Sequence, residues 1–146
     1  MDYSLVFRTA TPADEEVLYQ MLCLLENETL DRPGFAQVLR RNLANADIRY
    51  LVAEAAGQPV GMASCHVQPV LHHAALVAEI QEMYVDPALR SRGIGKQLVE
   101  ALAAFAHSRG ATSLEVTSNQ LRLDTHRFYE REGFAKTHYK LVRKKL

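Results

Sequence analysis

EIQEMYVDPALRSRGIGKQLVEALAAFA, residues Glu79 to Ala106, reads as a strand, a cationic glycine turn and a helix in succession. Ala78 to Val85 is rich in β-compatible residues. Asp86-Pro87 ends the run, because proline cannot donate to a strand ladder and restricts the residue before it. From Ile94 the apolar residues Leu98, Ala101, Leu102, Phe105 and Ala106 recur at helical spacing, which predicts an amphipathic helix with one buried stripe. Between them lies Arg90-Ser91-Arg92-Gly93-Ile94-Gly95-Lys96. Its two glycines let the backbone approach a ligand closely, and its cations surround the unpaired amides of a helix N-terminus. Such a turn is an anion site, most economically for phosphate or pyrophosphate.

Two other phosphate loops fit poorly. A Walker A loop needs Gly-x-x-x-x-Gly-Lys-Ser/Thr, but Arg90 stands at the first glycine and Gln97 where a metal-holding hydroxyl is required. A dinucleotide-binding loop needs a third glycine where Leu98 stands, and the turn falls late in the chain for two mononucleotide-binding halves.

Working outward, 146 residues are expected to form one domain with a proper core. The 17 basic and 17 acidic residues cancel, so no global field favours nucleic acid or an anionic membrane. Cys23 and Cys65 belong to no metal or redox spacing and read as buried free thiols. No apolar run approaches ~20 residues, and Met1-Asp2-Tyr3-Ser4 lacks a basic region followed by an apolar core. A cytoplasmic protein is expected.

In chain order, Leu5 to Arg8 reads as a strand, and Thr11-Pro12-Ala13-Asp14 as a helix start with a hydroxyl cap and an early proline. Val17, Leu18, Met21, Leu22 and Leu25 supply that helix's stripe. Asp31-Arg32-Pro33-Gly34 reads as a break before a helix from Phe35 to Leu43. Ile48 to Glu54 and Val60 to Val67 form a hairpin around Ala56 to Pro59. After the central helix stop at Arg109-Gly110 come a strand at Leu114 to Thr117, a helix from Asp124 to Glu132, and a last strand from Phe134 to Val142. The predicted order is β-α-α-β-β-β-α-β-α-β, a mixed α/β sheet flanked by helices.

Arg-x-x-Gly-x-Gly after Val-Asp-Pro resembles the acetyl-CoA pyrophosphate loop of the GCN5-related N-acetyltransferases. His126-Arg127-Phe128-Tyr129-Glu130-Arg131-Glu132-Gly133-Phe134 is similar to a second signature of that superfamily, and Phe7 to Asp14 fits its opening, so the likeness covers essentially the whole chain. Within the superfamily, Arg49-Tyr50, Leu71-His72-His73, Glu79 to Glu82 and Asp124 to Gly133 resemble the bacterial aminoalkylphosphonate N-acetyltransferases. The resemblance implies acetyl-CoA-dependent acetylation of a small primary amine, with an aminoalkylphosphonate as the first acceptor to test. A polyamine, an antibiotic amine or a protein N-terminus is the alternative acceptor, and a non-catalytic acyl-CoA-binding module the alternative class. Oligomeric state stays open, a homodimer included.

By the same resemblance, the backbone of Met83, Tyr84 and Val85 pairs with the pantetheine arm, and the amides of Arg90, Ser91, Arg92, Gly93, Ile94, Gly95 and Lys96 hold the pyrophosphate. A side chain at Gly95 is therefore expected to occupy phosphate space. Glu79 stands where the superfamily's histone acetyltransferases carry their base, and Glu82 is the alternative. A regular strand would put the two on opposite faces; the bulge usual in this family changes that parity. Tyr129 resembles the tyrosine that protonates, or hydrogen-bonds, the departing thiolate. Asn119 is a candidate contact to the cofactor arm or an ordinary turn residue. His72, His73 and His126 with Asp124 and Glu79 are types that could hold a divalent metal, though their spacing is no recognised metal motif. Arg49 is a candidate for an acidic substrate group.

Overall fold

The computed structural model of the chain describes residues 4–146; the leader reading at residues 1–3 lies outside them. β1 (Leu5–Thr9) leads through a short turn into α1 (Glu15–Glu26) and α2 (Arg32–Leu43). β2 (Ile48–Ala55), β3 (Gln58–Val70) and β4 (Ala75–Val85) follow, then α3 (Ile94–Ser108), β5 (Ala111–Val116) and α4 (Leu123–Arg131). The strands lie side by side in chain order, antiparallel from β1 to β4, with β5 parallel to β4 because α3 carries the chain back across the sheet.

Strand alternation divides the core in two. Leu51, Ala53, Ala63, Cys65, Val67, Ala78 and Ile80 meet the α3 stripe of Ile94, Leu98, Val99, Leu102, Phe105 and Ala106. Tyr50, Val52 and Met62 meet Leu18, Met21, Leu22 and Leu39 of α1 and α2. Leu98 and Leu102 have no exposed surface, and each contributes about 1.5–3 kcal/mol by burial. Cys65 is buried and Cys23 half-buried; both are free thiols.

Two expectations need correction. The Asp31–Gly34 break is the first turn of α2: the Asp31 carboxylate accepts the Gly34 N–H at 2.8 Å, and proline is tolerated there because early helical amides lack partners anyway. The strand expected at Phe134 to Val142 does not form. Phe134 donates its N–H to the Tyr129 carbonyl at 3.0 Å and packs on the core, after which the chain leaves the sheet. Alternating apolar residues favour a half-buried pleated surface, but a strand forms only where a ladder partner is supplied.

Two irregularities of β4 shape the site. Cys65 pairs with Ile80 and Ser64 with Glu82, so Gln81 is an extra residue, a β-bulge. On its other side, β4 pairs with β5 only from Leu76 to Ile80. Beyond the bulge the two strands part, and the edge from Gln81 to Val85 is left open towards β5.

Candidate active site

The cationic turn closes the end of this opening. Asp86 accepts the Ala88 N–H at 2.9 Å, and Arg90 Nε donates to the Val85 carbonyl at 3.2 Å, folding the chain back from the strand. Ser91 (φ 65°) and Gly93 (φ 81°) adopt left-handed conformations, and Gly93, as the residue preceding α3, offers no side chain to cap it. The first-turn amides of Ile94, Gly95 and Lys96 have no intrahelical acceptor and are available to an anion. Arg90, Ser91, Gly93, Ile94, Gly95 and Lys96 line the cleft; Arg92 does not. Gly95 serves packing. A Cβ there would lie 3.1 Å from Phe128 Cζ, so its missing side chain also lets α4 approach.

The cleft, about 1500 Å³, runs from this turn between β4 and the β5–α4 connection to the end of α1. Met83, Tyr84 and Val85 border it with their free edge, opposite Val116, Thr117 and Ser118. Ser118 Oγ is buried and has no hydrogen-bond partner, an orphan that the polar arm of an acyl-CoA would satisfy. Nothing in the sequence marked Ser118. Asn119 also borders the cleft, but its Oδ1 accepts the Leu121 N–H at 2.9 Å and its carbonyl meets His126 Nε2 at 2.8 Å, so it shapes the connection.

Tyr129 comes to the cleft from α4. Its ring is buried edge-on against Phe128 and Phe134, and its hydroxyl donates to Met83 Sδ at 3.9 Å. Desolvation pushes this phenol up to about 12, so it keeps its proton.

Because of the bulge, Glu79 and Glu82 share the sheet face covered by α1 and α2: Ile80 and Met83 pack with the α3 core, and Tyr84 with the other. Their surroundings differ. Glu79 accepts a hydrogen bond from Thr117 Oγ1 at 3.1 Å and borders neither the cleft nor its side pocket. Glu82 borders both. Ser64, fully buried beside it, donates its hydroxyl to Glu82 Oε1 and accepts the Glu82 N–H at 3.1 Å. Read alone, Ser64 is one small residue in a strand, and its link to Glu82 depends on the bulge.

The side pocket is an apolar slot of about 290 Å³ between α1, α2 and the sheet, walled by Leu18, Leu22, Phe35, Leu39 and Met62 among others. Its charged lining residues are Asp31 and Glu82, and no cation lines it.

The proposed metal ligands do not gather. His72 and His73 stack on each other in the β3–β4 turn, His126 faces the Asn119 carbonyl, and Asp124 pairs with Arg127 at 2.8 Å. Among the described residues no three His, Cys, Asp or Glu side chains are grouped to hold an ion, so this donor set does not fit a metal. Arg49 is also elsewhere. Its guanidinium lies over the Phe105 ring, 4.6 Å from the centroid, on the α3 side of the sheet.

A parallel strand pair parts here over the N-terminus of α3, with an orphan hydroxyl in the gap, an opening that would admit an extended acyl-CoA arm. Residues 16–134 match the Acetyltransferase (GNAT) family. The chain is 38% identical over 136 residues to the aminoalkylphosphonate N-acetyltransferase of Salmonella typhimurium, spanning 93% of this chain and 88% of that protein. An aminoglycoside N-acetyltransferase in complex with CoA shares the fold, with a TM-score of 0.89 at 16% identity, covering 99% of this chain and 97% of that one. A Trypanosoma brucei acetyltransferase has a TM-score of 0.75 at 28% identity, covering 98% and 100%. This chain belongs to the GNAT family and is an N-acetyltransferase with acetyl-CoA as donor. Among the described residues no helix is long and apolar enough to cross a membrane.

Proposed function

We propose that the chain acetylates a primary amine held at Glu82, and that Glu82 rather than Glu79 is the base. The observation that carries this reading is the position of Glu82, the residue shared by the cleft and the slot. An alkylammonium, with a pKa of about 10.4, arrives protonated. Ser64 occupies Oε1 of Glu82 and leaves Oε2 for the amine. Oε2 first takes one ammonium proton and passes it to water, which frees the nitrogen lone pair to bond to the thioester carbonyl carbon; the excess proton on the nitrogen of the tetrahedral adduct then goes to the same oxygen. The C–S bond then breaks with its electron pair leaving on sulfur. Tyr129 serves here as a hydrogen-bond donor to that sulfur. A phenol pushed up to about 12 does not surrender its proton to a thiolate whose conjugate acid has a pKa of about 8.5. Arg90 and the first amides of α3 hold the pyrophosphate, and Ser118 the pantetheine arm.

For the acceptor, an aminoalkylphosphonate is the first class, supported by the similarity to the Salmonella typhimurium enzyme over nearly the whole chain. Its anion would face the cleft cations Arg122 and Arg127, because the slot carries none. The slot favours a second reading, an uncharged alkyl or aryl amine whose tail fills it. CoA-thiol release with aminoethylphosphonate, ethanolamine and phenethylamine separates the two. Preference for the first supports the phosphonate, and preference for the last supports the slot. Turnover of any of them that survives unchanged in Glu82→Gln defeats the assignment of the base.

A further inference from the structure

The slot beside Glu82 carries a charge imbalance that the neutral chain as a whole does not. Two carboxylates line it, Asp31 and Glu82, and among the described residues neither is paired with a cation. Arg32, next to Asp31 in the chain, is engaged elsewhere: it pairs with Glu15 and Glu16 and lies over the Tyr19 ring, 4.5 Å from the centroid. Asp31 stands exposed where α2 begins. Its Oδ2 accepts the Gly34 N–H at 2.8 Å, and Oδ1 has no partner among the described residues. Glu82 lies half-buried on the sheet, with Oε1 taken by Ser64 and Oε2 free. The rest of the lining is apolar apart from Tyr50, whose hydroxyl already accepts from Asn42 Nδ2 at 2.8 Å.

We propose that the acceptor is a linear α,ω-diamine, or the end of a longer polyamine, with one nitrogen at Glu82, its methylene chain in the slot and its second ammonium at Asp31. This rests on the reading that acceptor tails enter the slot, and it adds the charge that the tail carries. An apolar slot with a free carboxylate oxygen on its helix wall and another on its sheet wall is complementary to a dication with an apolar middle. A monoamine would satisfy one carboxylate and leave the other unpaired; a phosphonate in the slot would add negative charge to both. Alkylammonium groups have pKa values of about 10.4, so both ends of a diamine arrive charged at neutral pH. Only the nitrogen at Glu82 is deprotonated and acylated as the CoA thiol leaves. The second keeps its proton, and the product is a monoamide with one ammonium.

CoA-thiol release with diamines from 1,3-diaminopropane to 1,8-diaminooctane tests this, each set against the monoamine in which a methyl replaces the second ammonium. The diamine-to-monoamine ratio of kcat/KM should exceed one and peak at a single chain length, because two fixed carboxylates accept one span. Asp31→Asn removes the charge and keeps the helix cap, asparagine and aspartate being equivalent there, so the urea midpoint should not move. The peak ratio should fall by about 2- to 5-fold in that variant, through KM, as loss of one partly exposed ion pair would give. A ratio at or below one at every length, no turnover of any diamine, or a peak ratio unaltered in Asp31→Asn would each overturn the proposal. The wild-type series decides the matter even without the variant. The monoamines judge the slot separately: kcat/KM that climbs with chain length, by up to about fourfold per methylene, places tails in the slot. That climb with no diamine advantage refutes the role of Asp31 alone, and no climb in either series refutes the slot as well.

Discussion

Ser64 and Glu82 clasp each other across β3 and β4: the serine hydroxyl donates to the carboxylate and accepts the N–H of the same glutamate. The clasp exists because the bulge at Gln81 brings Glu82 opposite Ser64 on the face of α1 and α2. Glu82→Gln is expected to lower kcat by on the order of 10²- to 10⁴-fold, as loss of a base does, with acetyl-CoA affinity unchanged by calorimetry. Ser64→Ala should lower kcat by about tenfold, the worth of one hydrogen bond near 1.4 kcal/mol, again without effect on acetyl-CoA. If Glu79→Gln is the more damaging change, the roles proposed for the two glutamates are reversed.

Tyr129 borders the same cleft as Glu82, with its hydroxyl at Met83 Sδ. Tyr129→Phe keeps the ring packing and removes one donor to a developing thiolate. A loss in kcat of about 10- to 100-fold is expected, matching ~1.5–3 kcal/mol for a hydrogen bond to a charged group. Since burial raises this phenol from 10.0 to about 12, its proton is retained through pH 10. The kcat profile should therefore show no fall near pH 10 that is present in wild type and absent in Tyr129→Phe.

Much of this architecture is legible in residue order. Asp86-Pro87 stops a strand, Gly93-Ile94-Gly95 opens a helix, and the stripe through Leu98, Leu102 and Phe105 faces the sheet. What is not legible depends on pairing between distant strands. A bulge has no local spacing signature, so the sequence leaves Glu79 and Glu82 as alternatives, and only the Ser64 register separates their surroundings. Ser118 acquires meaning when β4 and β5 part around it. The histidines show the opposite failure. Ligand-type side chains can be counted in a sequence, but His72, His73 and His126 are held in different loops or helices and do not converge. In the tail, alternation predicts a strand from Phe134 to Val142, but among the described residues no ladder partner is supplied and none forms.

Gly95 and Gly93 should respond differently to alanine. Gly95→Ala puts a methyl 3.1 Å from the Phe128 ring, which must shift by a few tenths of an ångström, so a loss of about 1 kcal/mol is expected, with weaker acetyl-CoA binding. At Gly93 a methyl meets no neighbouring atom within 4 Å, but φ of 81° is strained for alanine, costing about 1–2 kcal/mol. Urea unfolding with calorimetry on both variants tests this. A Gly95→Ala protein of wild-type stability would refute the packing role.

Asp14 gives the fold an acid limit. The Arg8 guanidinium donates to both of its carboxylate oxygens at 2.8 Å, which holds this nearly buried carboxyl below its ordinary range. A depressed folded-state pKa stabilises the protein above the unfolded value, about 3.9, and that contribution is lost as pH falls through the folded value. Asp14→Asn should cost about 2 kcal/mol at neutral pH and less at pH near 3, flattening the acid side of the stability curve. Equal destabilisation at both pH values in urea titrations would mean that the pair with Arg8 contributes by shape alone.

The slot beside Glu82 makes a prediction about acceptor choice that does not depend on which amine is preferred. Val38 of α2 lines it and is 57% exposed, so a longer side chain can be placed there without disturbing the core. Val38→Arg would add a cation to a lining that has none. A partly exposed ion pair contributes about 0.2–1 kcal/mol, so kcat/KM for aminoethylphosphonate relative to ethanolamine should rise by roughly 1.5- to 5-fold. Phenethylamine, whose ring would compete with the new side chain for the slot, should lose activity in the same variant. If all three ratios stay at their wild-type values, acceptors do not enter the slot, and the amine reaches Glu82 from the cleft side alone.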